Sequence, residues 1–337
     1  MESYANAFVV LLNFLIIPGL AYGSQLALGA LGVTIIYSVL RFSNFAHGEA
    51  MSFGAMFTIL TTWLFQSWGW HLGPLPTAII ALPVGCLVTV IFLLGTDKLV
   101  YQFYRKQKAA PVIYMIASVG VVFVMNGIIR FIIGPRDQSF ADGVRFIFTA
   151  RDFKEWFGLS ESLALRSTTV ITIVTAIIVV AIVFWFLNKT RTGKSMRAYS
   201  DNEDLALLSG IDPDKVVRVA WIITAILATV AGTLYGLDKS YKPFTYLQLL
   251  LPIFAAAIVG GVGNPVGAIV GGLVIAFSEI AVTFAYTKVI AYTLPEFMHV
   301  DGLAQLLSTD YKFAVSFVIL VVVLLIKPTG IMGGKTI

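Results

Sequence analysis

Two polar islands in an otherwise apolar chain carry the residue types that can do chemistry. Asn44-Phe-Ala-His-Gly-Glu49 sets an imidazole and a carboxylate two residues apart behind an amide. Gly193 to Ile211 gathers Lys194, Ser195, Asp201, Asn202, Glu203 and Asp204 ahead of a Leu207-Leu208-Ser-Gly210-Ile211 ending. Neither island is an enzyme signature. Gly193-Lys194-Ser195 imitates the end of a phosphate-binding loop, but the first glycine of that pattern would fall at Asn188 and no strand is predicted before it. Gly261-Val-Gly263 starts a dinucleotide loop whose next glycine comes too late, with Pro265 intervening. No HExxH, GxSxG, CxxC or paired-carboxylate arrangement occurs, and His47, His71 and His299 are far apart in sequence. The expectation is a non-catalytic protein without metal or cofactor. If ATP drives it, the ATPase is a separate polypeptide.

The chemistry left is that of a polar path through lipid. Asn44, His47 and Glu49 are costly at membrane depth unless they meet partners, water or a substrate, which makes them candidates for a path or gate. The competing reading puts them at headgroup level, with Glu49 favourably placed at the N-terminal end of the next helix. Glu279 lies deep in the apolar run Ala276-Phe-Ser-Glu-Ile-Ala-Val282, as either a path-lining group or a structural hydrogen bond to another helix. Asn126 is a weaker case of the same kind, since amides serve as interhelical glue. Pro18-Gly19 and the run Gly260 to Gly272 interrupt apolar segments. A broken helix survives in hydrocarbon only where its freed backbone is buried in protein or lines a wet cavity, so both breaks are expected to point inward, and Gly261 and Gly263 join the candidate path. The equally open reading is close packing, because Gly263, Gly267 and Gly271 recur every four residues.

The elements that must position these groups follow from composition. Of 337 residues 58% are hydrophobic and only 12% charged, and mean hydropathy is +0.89. Soluble domains are roughly half apolar and a quarter charged, so the fold class is all-α, a polytopic helical membrane protein. Apolar runs near 7–40, 50–65, 75–95, 111–133, 168–187, 216–237, 247–263, 266–286 and 312–326 predict eight or nine transmembrane or partly spanning helices in one domain, 1–337. The net charge of +5 is spread over loops, which fits the orientation rule for Lys and Arg and argues against a nucleic-acid partner. Loop 96–110 holds Lys98, Arg105, Lys106 and Lys108, and 188–215 holds Lys189, Arg191, Lys194, Arg197 and Lys215, whereas 66–76 has Trp68, Trp70 and His71 but no Lys or Arg. The basic loops and the C-terminus are therefore expected in the cytoplasm, and the N-terminus and the mixed-charge segment 134–167 outside. Cys86 has no cysteine partner, which excludes an intrachain disulfide. The N-terminus shows no basic n-region or cleavage site, so the first run is expected to be retained in the membrane.

Within the polar segment at about 195–215, Leu205, Leu207, Leu208 and Ile211 recur at roughly helical spacing, a face that plain loops do not maintain. It is expected to be a short cytoplasmic helix docked on a partner chain, with Asp201, Asn202, Glu203, Asp204, Leu207, Leu208, Gly210 and Ile211 forming the coupling surface.

Several ordered motifs then resemble one family. Gly19-Leu-Ala-Tyr-Gly-Ser24, Asn44-Phe-Ala-His-Gly-Glu49, Gly193-Lys-Ser-Met-Arg-Ala198, Leu207-Leu-Ser-Gly-Ile211, Ala231-Gly-Thr-Leu-Tyr-Gly236, the run 260–272 and Pro328-Thr-Gly-Ile331 are similar to integral-membrane permeases of bacterial ABC importers for branched-chain amino acids, of the LivH type. The resemblance implies a multi-pass protein of the bacterial cytoplasmic membrane, surrounded by lipid and passing a small polar solute. It implies as partners a second, LivM-like permease, two ABC ATPase subunits docked on the segment around Asp201 to Ile211, and an extracytoplasmic solute-binding protein. Relatives within the family carry urea, short amides and other small solutes. Where the family commonly has a Glu-Arg pair and a Tyr-Arg-Pro motif, this sequence reads Asp97-Lys98 and Tyr101-Gln-Phe-Tyr-Arg-Lys106, so that loop is expected to dock differently. A self-contained channel or secondary transporter is the alternative from a different class.

Overall fold

The computed structural model describes residues 2–295, 302 and 304–333. His299 and Lys335 fall outside the described residues. From the N-terminus, α1 (Glu2–Leu11) passes through a π turn (Leu12–Ile16) into α2 (Ile17–Leu40). The run is thus continuous at Pro18-Gly19, where the sequence suggested a break. Proline has no N–H to give to the helical ladder, and the widened π turn just before it absorbs that loss. Then follow α3 (His47–Ser67), α4 (Ala78–Thr96), a second π turn (Asp97–Tyr101), α5 (Gln102–Lys106) and α6 (Pro111–Ile133). A small antiparallel pair, β1 (Phe146–Phe148) and β2 (Leu165–Arg166), encloses α7 (Ala150–Phe157) and gives the segment 134–167 a structure of its own.

The second half comprises α8 (Ser167–Lys189), α9 (Arg191–Asp201), α10 (Glu203–Leu208), α11 (Pro213–Lys239), α12 (Pro243–Gly260), α13 (Pro265–Thr283), α14 (Thr287–Thr293) and α15 (Lys312–Ile326). Start signals are explicit in the sequence. Proline occupies the first turn of α6, α11, α12 and α13, where its missing N–H costs nothing. Asp212 caps α11 at Asp214 N (3.0 Å), and Asn264 caps α13 at Val266 N (3.0 Å).

Among the described residues, eight helical stretches are long and apolar enough to cross a bilayer. The first includes α1 and α2 together, and α4 extends through α5 as a second. α3 has 21 residues, but Glu49, Ser52, Thr58, Thr61, Thr62 and Gln66 keep it out of that set. The core is built on α11, the most buried span, packed against α2, α3 and α4. Gly267 and Gly271 lie against the backbone of α12 at Gly260 and Ala256, where a Cβ would collide with carbonyl oxygens. The expected glycine stripe is therefore a close-packing device, but Gly263 is not part of it. It sits in the interhelical turn with φ +82° and open space around it.

Hydrogen bonds between loops sort them onto two faces. On the Lys- and Arg-rich face, the Arg41 guanidinium donates to the Ser200 carbonyl, and Arg105 meets Asp214 at 3.5 Å. α2 and α13 run antiparallel, which brings the turn 261–264 to this face; there Ile331 N donates to Val259 O at 2.8 Å. On the opposite face Gln138 and Tyr241 exchange backbone bonds, Val144 N donates to Pro74 O, and Glu161 N donates to Asn6 Oδ1. The two ends of the described chain thus lie on opposite faces.

Candidate functional site

The coupling candidates occupy the basic face. Asn202 has an extended backbone (φ −152°) that ends α9 and starts α10, and its side chain caps Leu205 N at 2.9 Å. The amphipathic segment is consequently two short helices with a bend at Asn202. Gly210 (φ +78°) terminates α10 in the left-handed region that glycine tolerates. Inside, Ala206 and Met196 are buried, and Tyr199 donates to Glu203 Oε1 at 2.6 Å. Burial, and then that bond, raise the Tyr199 phenol, which keeps its proton and holds α10 to α9. Outside, Leu205, Leu207 and Leu208 are exposed, Leu208 to 86%, while Asp201, Asn202, Glu203, Asp204 and Gly210 are exposed beside them and Ile211 is half-buried. Gly193 has a packing role: a Cβ there would strike the Phe186 carbonyl where α9 folds back on the end of α8.

The second cluster lies at depth. The segment 42–46 leaves the basic face and climbs back among the helices. Phe42 stacks on Tyr114 at 5.2 Å, Phe45 N donates to Ser118 Oγ at 3.1 Å, and Asn44 Oδ1 caps Ala46 N at 3.1 Å and accepts from Tyr101 at 3.4 Å. His47 lies against Gly32, where a methyl would come within 2.6 Å of its Cε1. Gly32 is eight residues before the end of α2, about 12 Å along the helix at 1.5 Å per residue. Asn44, His47 and Glu49 are all buried, so they do not face surface water as the headgroup-level reading required: neighbouring helices surround them. α3 therefore starts among the helices, well back from the basic face, and runs to the opposite face.

Glu49 is in the first turn of α3, and Asn126 Nδ2 donates to its Oε1 at 3.0 Å. Among the described residues Glu49 Oε2 and His47 Nε2 have no hydrogen-bond partner. Arg130, one turn beyond Asn126, is exposed with its guanidinium 6.0 Å from the Phe244 ring. The structure thus joins Glu49 to Asn126 and keeps Asn44 and His47 on the segment leading to them. Glu279 is elsewhere, near the opposite face, accepting from Ser316 Oγ, the interhelical bond that sequence reasoning entertained. Gly261 and Gly263 are in the turn on the basic face, apart from both groups.

Sequence reasoning missed two partners. Ser52 Oγ and the Tyr241 hydroxyl are 2.9 Å apart in the core. Asp97 is buried, accepting from Trp221 Nε1 at 2.9 Å and from both Arg105 terminal nitrogens at 2.9 and 3.2 Å. The stretch 96–106 is accordingly a helix extended through a π turn, with the Asp97-Arg105 pair turned inward. An aspartate beside an apolar run was the available signal.

A multi-helix membrane chain with buried unsatisfied polar atoms at depth, and an apolar short helix exposed on one polar face, has the build of a transport subunit. Comparison with known proteins makes the class specific. Residues 15–324 match the family described as branched-chain amino acid transport system / permease component, and the chain belongs to that family. It is 30% identical over 331 residues to the high-affinity branched-chain amino acid transport system permease protein LivH of Salmonella typhimurium, covering 94% of this chain and 93% of the relative. It is also 30% identical to the probable branched-chain amino acid transport permease protein LivH of Methanocaldococcus jannaschii, covering 93% and 90%. The ribose import permease protein RbsC of Escherichia coli K12 is 26% identical, covering 67% and 71%. No solved structure matches the chain.

Proposed function

We infer that this chain is the membrane-spanning subunit of an ATP-driven ABC importer, and that its cargo is a branched-chain amino acid delivered by an extracytoplasmic binding protein. The observation that carries the coupling assignment is the row of exposed leucines on α10, an apolar face with no occupant on a basic surface. The basic face is then cytoplasmic and the face bearing 134–167 external. The relatives' names support the cargo.

The mechanism runs from named contacts. ATP binding closes the paired ATPases under α10. α9 moves with α10 through the Tyr199-Glu203 bond and lies against α8 and α11. The Arg41 bond to Ser200 O ties it to the segment that climbs to His47 and Glu49, so closure at the surface reaches the buried polar groups. The path, with Asn44, His47, Glu49, Asn126, Gly261, Gly263 and Glu279 as candidates, then changes the side it faces. Hydrolysis resets it.

The similarity to a ribose permease favours a second reading, the same machine with another small solute such as a sugar, urea or an amide. Affinity purification from native membranes, with mass spectrometry of co-purifying proteins and of the ligand on any binding protein, tests both. Two ATPases, a second permease and a binding protein holding leucine, isoleucine or valine are expected. Another solute changes the cargo. Recovery of the chain alone in mild detergent overturns the importer in favour of a self-contained transporter.

A further inference from the structure

At the face opposite α10, the π turn, α2, α11, α13 and α15 enclose a cavity of about 190 Å³. Glu279 lines it and is 1% exposed, with one oxygen accepting from Ser316 and the other, Oε2, without a closed hydrogen bond among the described residues. The Tyr22 hydroxyl interacts with the same carboxyl, but no bond of full hydrogen-bond geometry closes between them among the described residues. Across the cavity, the Lys312 ammonium lies 5.6 Å from the Tyr22 ring and 4.7 Å from the Phe313 ring. It is near enough to feel Glu279, yet no ion pair closes between them among the described residues. Lys239 stands at the rim, paired with Asp238 at 3.5 Å. Phe14 and Ile280 supply apolar wall.

A buried carboxylate oxygen without a donor is costly, and so is an ammonium held off its counter-ion. The arrangement becomes favourable when one small molecule brings both complements, a cation for Glu279 and an anion for Lys312. We propose that this cavity binds a free α-amino acid as its zwitterion, with the ligand ammonium on Glu279, its carboxylate on Lys312, and an aliphatic side chain against Phe14 and Ile280. A sugar or urea has no such charge pair. An adjoining cavity of about 380 Å³ shares Phe14, Pro18 and Lys239 and extends to Arg166, giving the site a vestibule on the same face. Phe14 belongs to the π turn, so the irregular backbone of the first span supplies part of the wall. The assignment rests on the importer reading and makes its cargo class chemical.

The test uses the assembled complex in lipid nanodiscs without the binding protein, with radiolabelled leucine as the probe. The expected result is saturable leucine binding that isoamylamine, lacking the carboxylate, and 4-methylpentanoate, lacking the amine, compete for at least about tenfold more weakly than leucine. Glu279→Gln and Lys312→Met should each weaken binding by a similar factor. The analogue competition needs no variant and keeps the proposal falsifiable if a substitution prevents assembly. Equal competition by either analogue overturns the site. So does wild-type uptake of leucine with no leucine binding, or with binding unchanged in the assembled Glu279 and Lys312 variants. A wild-type complex that imports another solute and never leucine overturns the cargo reading instead, and the site with it.

Discussion

The Asn126 amide donates to Glu49 Oε1 at 3.0 Å, joining the middle of α6 to the first turn of α3. One oxygen of a buried carboxyl is thereby held while the other has no partner among the described residues. Asn126→Leu removes a buried hydrogen bond and leaves its acceptor unpaired, which should cost about 1–3 kcal/mol, read as earlier thermal unfolding in detergent. Restoring the donor with Asn126→Gln should recover part of the loss. An unchanged melting profile for the leucine variant would remove this bond from the account.

α10 makes a separable prediction. Leu208 is 86% exposed, so Leu208→Glu should change the stability of the purified chain by no more than about 0.5 kcal/mol. ATPase co-purification or ATP-driven uptake should nevertheless be lost. Asn202→Ala removes the cap of α10, costs about 1 kcal/mol locally and should weaken coupling less severely. Normal assembly and uptake in Leu208→Glu would sink the docking assignment.

The Asp97 carboxylate bridges Trp221 and Arg105 and fixes the extension of α4 against α11. Asp97→Leu should leave the Trp221 indole N–H unpartnered and the Arg105 guanidinium with Asp214 at 3.5 Å, destabilising the protein by about 1–3 kcal/mol, the cost of a buried donor left without its acceptor. Red-shifted Trp221 fluorescence, measured against a Trp221→Phe background, is the specific readout. No change in emission would mean that the indole does not depend on Asp97.

Gly271 touches the α12 backbone so closely that Gly271→Ala must push the two helices apart. Overpacking of this kind costs about 1–3 kcal/mol. Gly263→Ala has open space but a left-handed backbone, so its penalty is confined to the turn. Differential scanning of the two variants should rank Gly271→Ala lower, and the reverse order would contradict the close approach.

On the face opposite α10, burial pushes the Asp142 carboxyl up, but hydrogen bonds from Thr77 and Gln66 outweigh it and leave its pKa below 3.8. A depressed acid stabilises the fold above its unfolded pKa, and that contribution is lost as the pH falls through the folded value. Hydrogen exchange in 74–78 and 140–145 should therefore accelerate as the pH drops below about 3.8, and Asp142→Asn should abolish the acid-dependent part. Equal acid sensitivity in the variant would assign the effect to other groups.

Much of the fold could be read from residues because hydrocarbon leaves the chain few choices. The apolar runs became helices, and Pro213, Pro243 and Pro265 marked three starts. The exposed leucines of α10 were legible from their spacing, though not the bend at Asn202, which depends on one extended residue. The depth of Asn44 to Glu49 was not legible. Whether a polar hexapeptide lies at the surface or climbs inward depends on Gly32, Tyr101 and Ser118, which are distant in sequence. Asp97 with Trp221, and Ser52 with Tyr241, are separated by 124 and 189 positions, and nothing local in the sequence announces either pair.

The bare leucines on α10 also bear on how such a chain survives in the cell. An apolar patch that docking would cover is, before docking, a recognition tag for chaperones and proteases. A copy synthesised in excess of an ATPase partner would keep that tag exposed and be removed, so subunit stoichiometry would be policed by the same three side chains proposed for docking. A pulse-chase half-life that shortens when the ATPase gene is deleted, and recovers in Leu205, Leu207 and Leu208 serine variants, would reveal that second use of the surface.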